Sequence, residues 1–117
     1  MIKSFAFVCY PVKDAAKAAA FYRDVVGLKP AKTLNDRWIE FDVDGMTFAV
    51  ASGGEQIGVM PGSVLAAAFE VDDFDATIEA LRTKGLKMDE PFEAPTCRAC
   101  FAYDPDGNRF ALHKLKE

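Results

Sequence analysis

Apolar residues alternate with polar ones over several short stretches, and recur every third or fourth position over two longer ones. The first pattern predicts half-buried strands near 3–9, 29–33, 37–43 and 46–52, and again near 64–70, 86–90, 97–103 and 109–115. The second predicts two helices, one carried by Ala18, Phe21 or Tyr22, and Val25, the other by Phe74, Ile78 and Leu81. Asp14 and Asp73 stand where an N-cap carboxylate would accept from the orphan amides of a first turn. Gly27 and Gly85 stand where a helix C-terminus needs a left-handed residue. Asp44-Gly45 lies between two alternating runs and predicts a two-residue hairpin, while Asp104-Pro105-Asp106-Gly107 fits a type I turn closed by a glycine bulge. The stretch from Ser52-Gly53-Gly54-Glu55 to Pro61-Gly62 is a linker.

The order of elements occurs twice. Val12-Lys13-Asp14 leads through a helix to Arg23 and Gly27-Leu28-Lys29. Val71-Asp72-Asp73 leads through a helix to Arg82 and Gly85-Leu86-Lys87. The offset is 59 residues between Asp14 and Asp73 and 58 between Gly27 and Gly85, so one gap relates the copies. Each copy reads as βαβββ, with a first module over about 1–52, a linker over about 53–63 and a second module over about 64–117 of a single domain.

Tyr10-Pro11-Val12-Lys13-Asp14, Ala20-Phe21-Tyr22-Arg23-Asp24-Val25-Val26-Gly27-Leu28 and Asp104-Pro105-Asp106-Gly107-Asn108 resemble the glyoxalase, bleomycin-resistance and extradiol dioxygenase group, the vicinal oxygen chelate superfamily. The resemblance runs along essentially the whole chain. It implies an α+β fold in which two tandem βαβββ modules form a curled mixed sheet around a cleft, with helices on the convex face. It also implies a homodimer, in some relatives with modules exchanged between chains. Metal-dependent members place His, Gln or Glu at four inward points on the first and last strands of each module, and the matching positions here are Phe7, Ala49, Ala66 and Ala111. One Phe and three Ala offer no lone pair to a divalent ion. The expectation is a protein without the group's metal centre and without a cofactor.

Those four positions also fix which parity of each strand faces the cleft. Phe5, Phe7 and Cys9 follow on the first strand, and Val64, Ala66, Ala68 and Glu70 on the fifth. Trp38, Glu40 and Asp42 follow through the Asp44-Gly45 hairpin, which sets Glu40 opposite Ala49. Arg109, Ala111 and His113 line the last strand, with Cys97, Ala99, Phe101 and Tyr103 beside them. The predicted ligand-binding set is therefore Phe5, Phe7, Trp38, Glu40, Cys97, Phe101, Tyr103 and His113, a wall suited to a small, partly apolar or aromatic molecule held by few polar contacts. Glu40 could meet a cationic group or serve as a base, and His113, the only histidine, could exchange a proton, which makes these two the candidate catalytic residues. Cys97 and Cys100 spell Cys-x-x-Cys, but three positions apart on a strand they point to opposite faces.

Half the residues are apolar, enough for a real core in a chain of 117 residues, and the formal charge is -4 with Lys and Arg scattered. That distribution gives no footprint for nucleic acid or for an anionic membrane. The start lacks the pattern of a signal peptide, and three cysteines make an odd count, so reduced thiols in the cytoplasm are expected. Two functions are in view. One is a metal-independent protein that binds or sequesters a small molecule. The other is an enzyme, a lyase, isomerase or dioxygenase, using an unorthodox metal set of Glu40, His113, Cys97 and Cys9 or acid–base chemistry on Glu40 and His113.

Overall fold

The computed structural model describes residues 1, 6–57, 60–62 and 65–116, with the side chains of 56, 57, 65 and 66 outside that description. The elements run β1 (Val8–Pro11), α1 (Ala15–Phe21) extended by a π-helical turn (Tyr22–Val26), β2 (Lys29–Asn35), β3 (Trp38–Val43) and β4 (Met46–Ala51). After a 3-10 turn (Gly54–Ile57) come β5 (Leu65–Glu70), α2 (Phe74–Thr83), β6 (Phe92–Glu93), β7 (Cys97–Tyr103) and β8 (Arg109–Leu115). The strands form two four-stranded mixed sheets, ordered β1-β4-β3-β2 and β5-β8-β7-β6, so the fold is α+β with two βαβββ modules. β1 runs parallel to β4 and β5 parallel to β8, while the hairpin partners are antiparallel.

Local chemistry places these elements. The Asp14 carboxylate accepts from the Lys17 amide and the Asp73 carboxylate from the Ala76 amide, each at 3.1 Å, and such caps are worth about 1 kcal/mol. Gly27 and Gly85 take φ of 88° and 80°, the left-handed conformation that lets the chain leave each helix. Asp44 and Gly45 at φ 51° and 82° form the tight hairpin, which registers Val43 with Met46 and Glu40 with Ala49. The Asp104 turn likewise registers Phe101 with Ala111 and Ala99 with His113.

Two local expectations are corrected. The strand expected at 86–90 is reduced to a bridge between Met88 and Ala102, and the ladder resumes at β6, where Phe92 faces Ala99. The pairing shifts by one residue across Pro91, which has no amide hydrogen to donate and so breaks a ladder. The first helix is not α-helical to its end: Tyr22–Val26 widens into a π turn in which the Gly27 and Leu28 amides both reach the Tyr22 carbonyl. It widens where the sequence neighbours Phe21 and Tyr22 both pack into the core, their rings 5.0 Å apart, a demand one face of an α-helix does not meet.

The helix-side faces of both sheets share one core. Tyr22, fully buried, sets its ring 4.9 Å from Phe48 of β4 and 6.0 Å from Phe110 of β8. Phe69 of β5 lies 5.7 Å from both of those phenylalanines. Hydrogen bonds join the modules where apolar contact alone would leave the register loose. The Tyr10 hydroxyl donates to the Arg109 carbonyl at 2.5 Å and accepts from the Ala67 amide at 2.8 Å. The Asn108 amide group donates to the Pro11 carbonyl at 2.6 Å, and its oxygen accepts from the Gly62 amide at 2.8 Å. Among the described residues no helix is long and apolar enough to cross a membrane.

Candidate functional site

Strand alternation leaves each sheet one face on the core and one turned away from it. On the first sheet Tyr10, Phe41, Phe48 and Val50 enter the core, so Phe7, Cys9, Trp38, Glu40 and Ala49 fall on the opposite face. The T-shaped contact of Phe7 with Trp38, 5.1 Å between centroids, joins the start of the chain to β3 on that face. The indole N–H of Trp38 donates to Glu40 Oε2 at 2.7 Å, two residues along the same strand face. Cys9 lies half-buried beneath them, and burial pushes its thiol pKa up, away from the reactive thiolate. Cys9, Pro11, Trp38 and the backbone turn Ala51–Gly54 enclose a recess of about 310 Å³. Phe5 lies outside the described residues.

On the second sheet Cys100, Ala102, Phe110 and Leu112 enter the core, which turns Cys97, Ala99, Phe101, Tyr103, Arg109, Ala111 and His113 to the other face. Cys97 is half-exposed, whereas Cys100 is fully buried with its thiol donating to the Asp89 carbonyl at 3.3 Å, so the two sulfurs are on opposite faces of β7. The Arg109 guanidinium, from the position paired with Tyr103, reaches diagonally across the β7–β8 ladder to stand 4.5 Å over the Phe101 ring, a cation–π contact. The Tyr103 hydroxyl donates to Asp89 at 2.8 Å while Lys87 lies over its ring. His113 Nδ1 lies 2.5 Å from Glu70 Oε1, and the other Glu70 oxygen accepts from the Leu115 amide at 2.7 Å.

The structure thus gathers the predicted residues into two groups, Phe7, Trp38 and Glu40 on one sheet and Phe101, Tyr103, Cys97 and His113 on the other. Glu40 and His113 share no hydrogen bond or ion pair; each is engaged by a partner of its own module. Counting in twos placed Glu70 and Arg109 on the lining but did not reveal their roles. Glu70 meets His113 because β5 is parallel to β8 in a register no hairpin fixes, and Arg109 acquires its role from the ring that it covers.

The four positions where the resemblance implies metal ligands can now be placed. Ala49 is fully buried and Ala111 nearly so, both on the faces turned from the core, Phe7 is half-exposed against Trp38, and the Ala66 side chain lies outside the described residues. Hydrocarbon at these points supplies neither charge nor donor atoms, so the residues present do not fit the metal centre of the metal-dependent relatives. The alternative set of Glu40, His113, Cys97 and Cys9 is not assembled: among the described residues no group of three or more His, Cys, Asp or Glu side chains converges to hold an ion.

A second concavity follows the seam between the modules. It holds about 550 Å³ between the end of α1, the face of α2 and the edge of β5, lined chiefly by Val26, Leu28, Val43, Phe69 and Leu112 with Glu70 and Lys84 among its polar groups. Its walls are mostly aliphatic, with the single ring of Phe69.

Comparison with known proteins agrees with this construction. The family model of the Glyoxalase/Bleomycin resistance protein/Dioxygenase superfamily matches residues 4–112. The anthracycline biosynthesis protein DauV of Streptomyces sp. (strain C5) is 32% identical over 108 residues, which make up 89% of this chain but only 38% of DauV, so the chain spans well under half of that relative's length. The structure of TnmS3, an antibiotic binding protein from Streptomyces sp. CB03234, superposes with a TM-score of 0.82 at 27% identity, covering 98% of each chain. Lactoylglutathione lyase from Agrobacterium tumefaciens shares the fold at the same TM-score of 0.82 with 18% identity, over 97% of this chain and 95% of its own. A repeated βαβββ module with its Asp-Pro-Asp-Gly-Asn turn, and a family match over nearly the whole length, give one conclusion: the chain belongs to the Glyoxalase/Bleomycin resistance protein/Dioxygenase superfamily.

Proposed function

We propose that this protein binds a small, partly apolar or aromatic molecule on the lining built from Phe7, Trp38 and Glu40 on one sheet and Phe101, Tyr103 and His113 on the other, and that it does so without a metal ion. The observation that carries the reading is the composition of that lining. Aromatic rings stand beside alanines at the points where metal-dependent relatives have ligands. Without a Lewis acid the lining offers stacking surface, the Arg109 charge and a few hydrogen-bonding groups, which suits recognition. Likeness to an antibiotic binding protein over its full length, and to a protein named for anthracycline biosynthesis over part of one, supports a planar polycyclic ligand. The same family membership supports a homodimer as the working assembly.

Trp38 is the only tryptophan, so its emission reports on the lining directly. Titration with anthraflavic acid, a planar dihydroxyanthraquinone, is expected to quench that emission saturably, with weaker binding in Phe101→Ala and Phe7→Ala. Quenching that stays linear in probe concentration, or saturates equally in both variants, would contradict the proposed site.

A further inference from the structure

The pairing of Glu70 with His113 settles which nitrogen of the imidazole is left open. Glu70 accepts at both oxygens, from the Leu115 amide at Oε2 and from the ring at Oε1, and these contacts hold its carboxyl below the usual carboxylate range. An ionised carboxylate is acceptor-only, so the nitrogen 2.5 Å from it must carry the ring proton. Neutral His113 is therefore protonated on Nδ1, and its Nε2 presents a bare lone pair. Among the described residues no protein group bonds to that nitrogen. The neighbours of His113 on the same face of β7 and β8 include Ala111 and Leu115, two residues to either side along β8, and Ala99 opposite, so the side toward Ala111 and Ala99 carries only small side chains. Arg109 is four residues along the strand, a backbone spacing of roughly 13 Å, but its guanidinium leans back over Phe101, the residue paired with Ala111, with no carboxylate partner among the described residues.

We propose that Glu70 is a positioning residue that holds His113 as a hydrogen-bond acceptor for an acidic hydroxyl of the ligand, so that the face of β7 and β8 selects hydroxylated aromatic molecules over their ethers. Ala111 underlies the ring system beside His113, and the Arg109 guanidinium, held over Phe101, meets an electron-rich oxygen next to it. This rests on the binding reading above and makes it more specific. A hydroxyl finds at Nε2 the partner it loses in water, whereas an ether leaves that lone pair buried without a donor.

The test has two arms. The chain has one histidine, so a long-range nitrogen–proton NMR spectrum shows a single ring, and the free protein is expected to show the Nδ1–H tautomer. Glu70→Gln, whose amide can donate to Nδ1, is expected to move the proton toward Nε2. In the second arm anthraflavic acid is expected to bind at least about tenfold more tightly than its dimethyl ether, a preference that Glu70→Gln and His113→Phe both abolish. An Nε2–H tautomer in the free protein, or equal affinity for the phenol and the ether, overturns the proposal alone. Binding of neither probe overturns the binding reading and this proposal with it.

Discussion

The Tyr22 hydroxyl donates to Asp104 Oδ2 at 2.8 Å, across 82 residues of sequence and from the first module into the second. Asp104 is 5% exposed and accepts three further hydrogen bonds, from the amides of Asp106 and Asn108 at Oδ1 and from the Asn108 side chain at Oδ2. Two of the three segments that carry the family resemblance, the Phe21-Tyr22 pair and the Asp-Pro-Asp-Gly-Asn turn, are thus the two halves of one buried clasp. Their first role is to fix one module against the other. Tyr22→Phe keeps the ring and removes only the donor, so we expect a loss of about 1–3 kcal/mol in urea unfolding, the cost of a buried oxygen left short of a partner. An unchanged midpoint would show that the clasp contributes nothing.

Asn108 is also part of that clasp, bonding Pro11, Gly62 and Asp104 at once. Tyr22→Phe and Asn108→Ala therefore act on the same carboxylate, and their destabilisations should fail to add, with a coupling on the order of 0.5–3 kcal/mol in a double-mutant cycle. Simple additivity would mean that the two side chains act independently.

Burial pushes the Asp104 pKa up, against the opposing pull of its hydrogen bonds from Asn108, Tyr22 and the turn amides. A carboxyl raised in the folded state binds its proton more readily there than in the unfolded chain. Its contribution to stability is thus full below the ordinary carboxylate range and declines as pH rises through the folded value. Wild type should gain on Asp104→Asn as urea midpoints are taken from neutral to acidic pH, and the Asp104 carboxyl carbon should titrate above an ordinary Asp. Glu70 has the opposite sign, its pKa lowered by His113 and the Leu115 amide, so its contribution is lost as pH falls. A constant difference between wild type and Asp104→Asn across that range would contradict the assignment.

The legible part of this protein was whatever local chemistry decides. N-cap carboxylates at Asp14 and Asp73, left-handed glycines and the Asp44-Gly45 turn fixed helix starts, helix ends and hairpin register. Counting in twos from the four positions that the family resemblance supplied, and across the two hairpins, placed Trp38, Glu40, Phe101 and His113 on the faces away from the core. Interactions that depend on how distant strands meet were not legible. The Glu70–His113 pair depends on a parallel register between β5 and β8 that contains a bulge, and no turn length encodes it. The Pro91 interruption and the π turn at Tyr22 are local in sequence, yet their effects are set by what each segment packs against.

The proposed homodimer is checked by sedimentation equilibrium, where a mass twice that of one chain is expected across the micromolar range. A single-chain mass over that range would remove the dimer from the account.

Elemental analysis of the purified protein, paired with anthraflavic acid titration in excess chelator, tests the central claim most directly. With hydrocarbon at Phe7, Ala49, Ala66 and Ala111, we predict far less than one divalent ion per chain and an affinity that chelator does not change. One tightly held ion per chain, lost together with probe binding in Glu40→Ala, would contradict it.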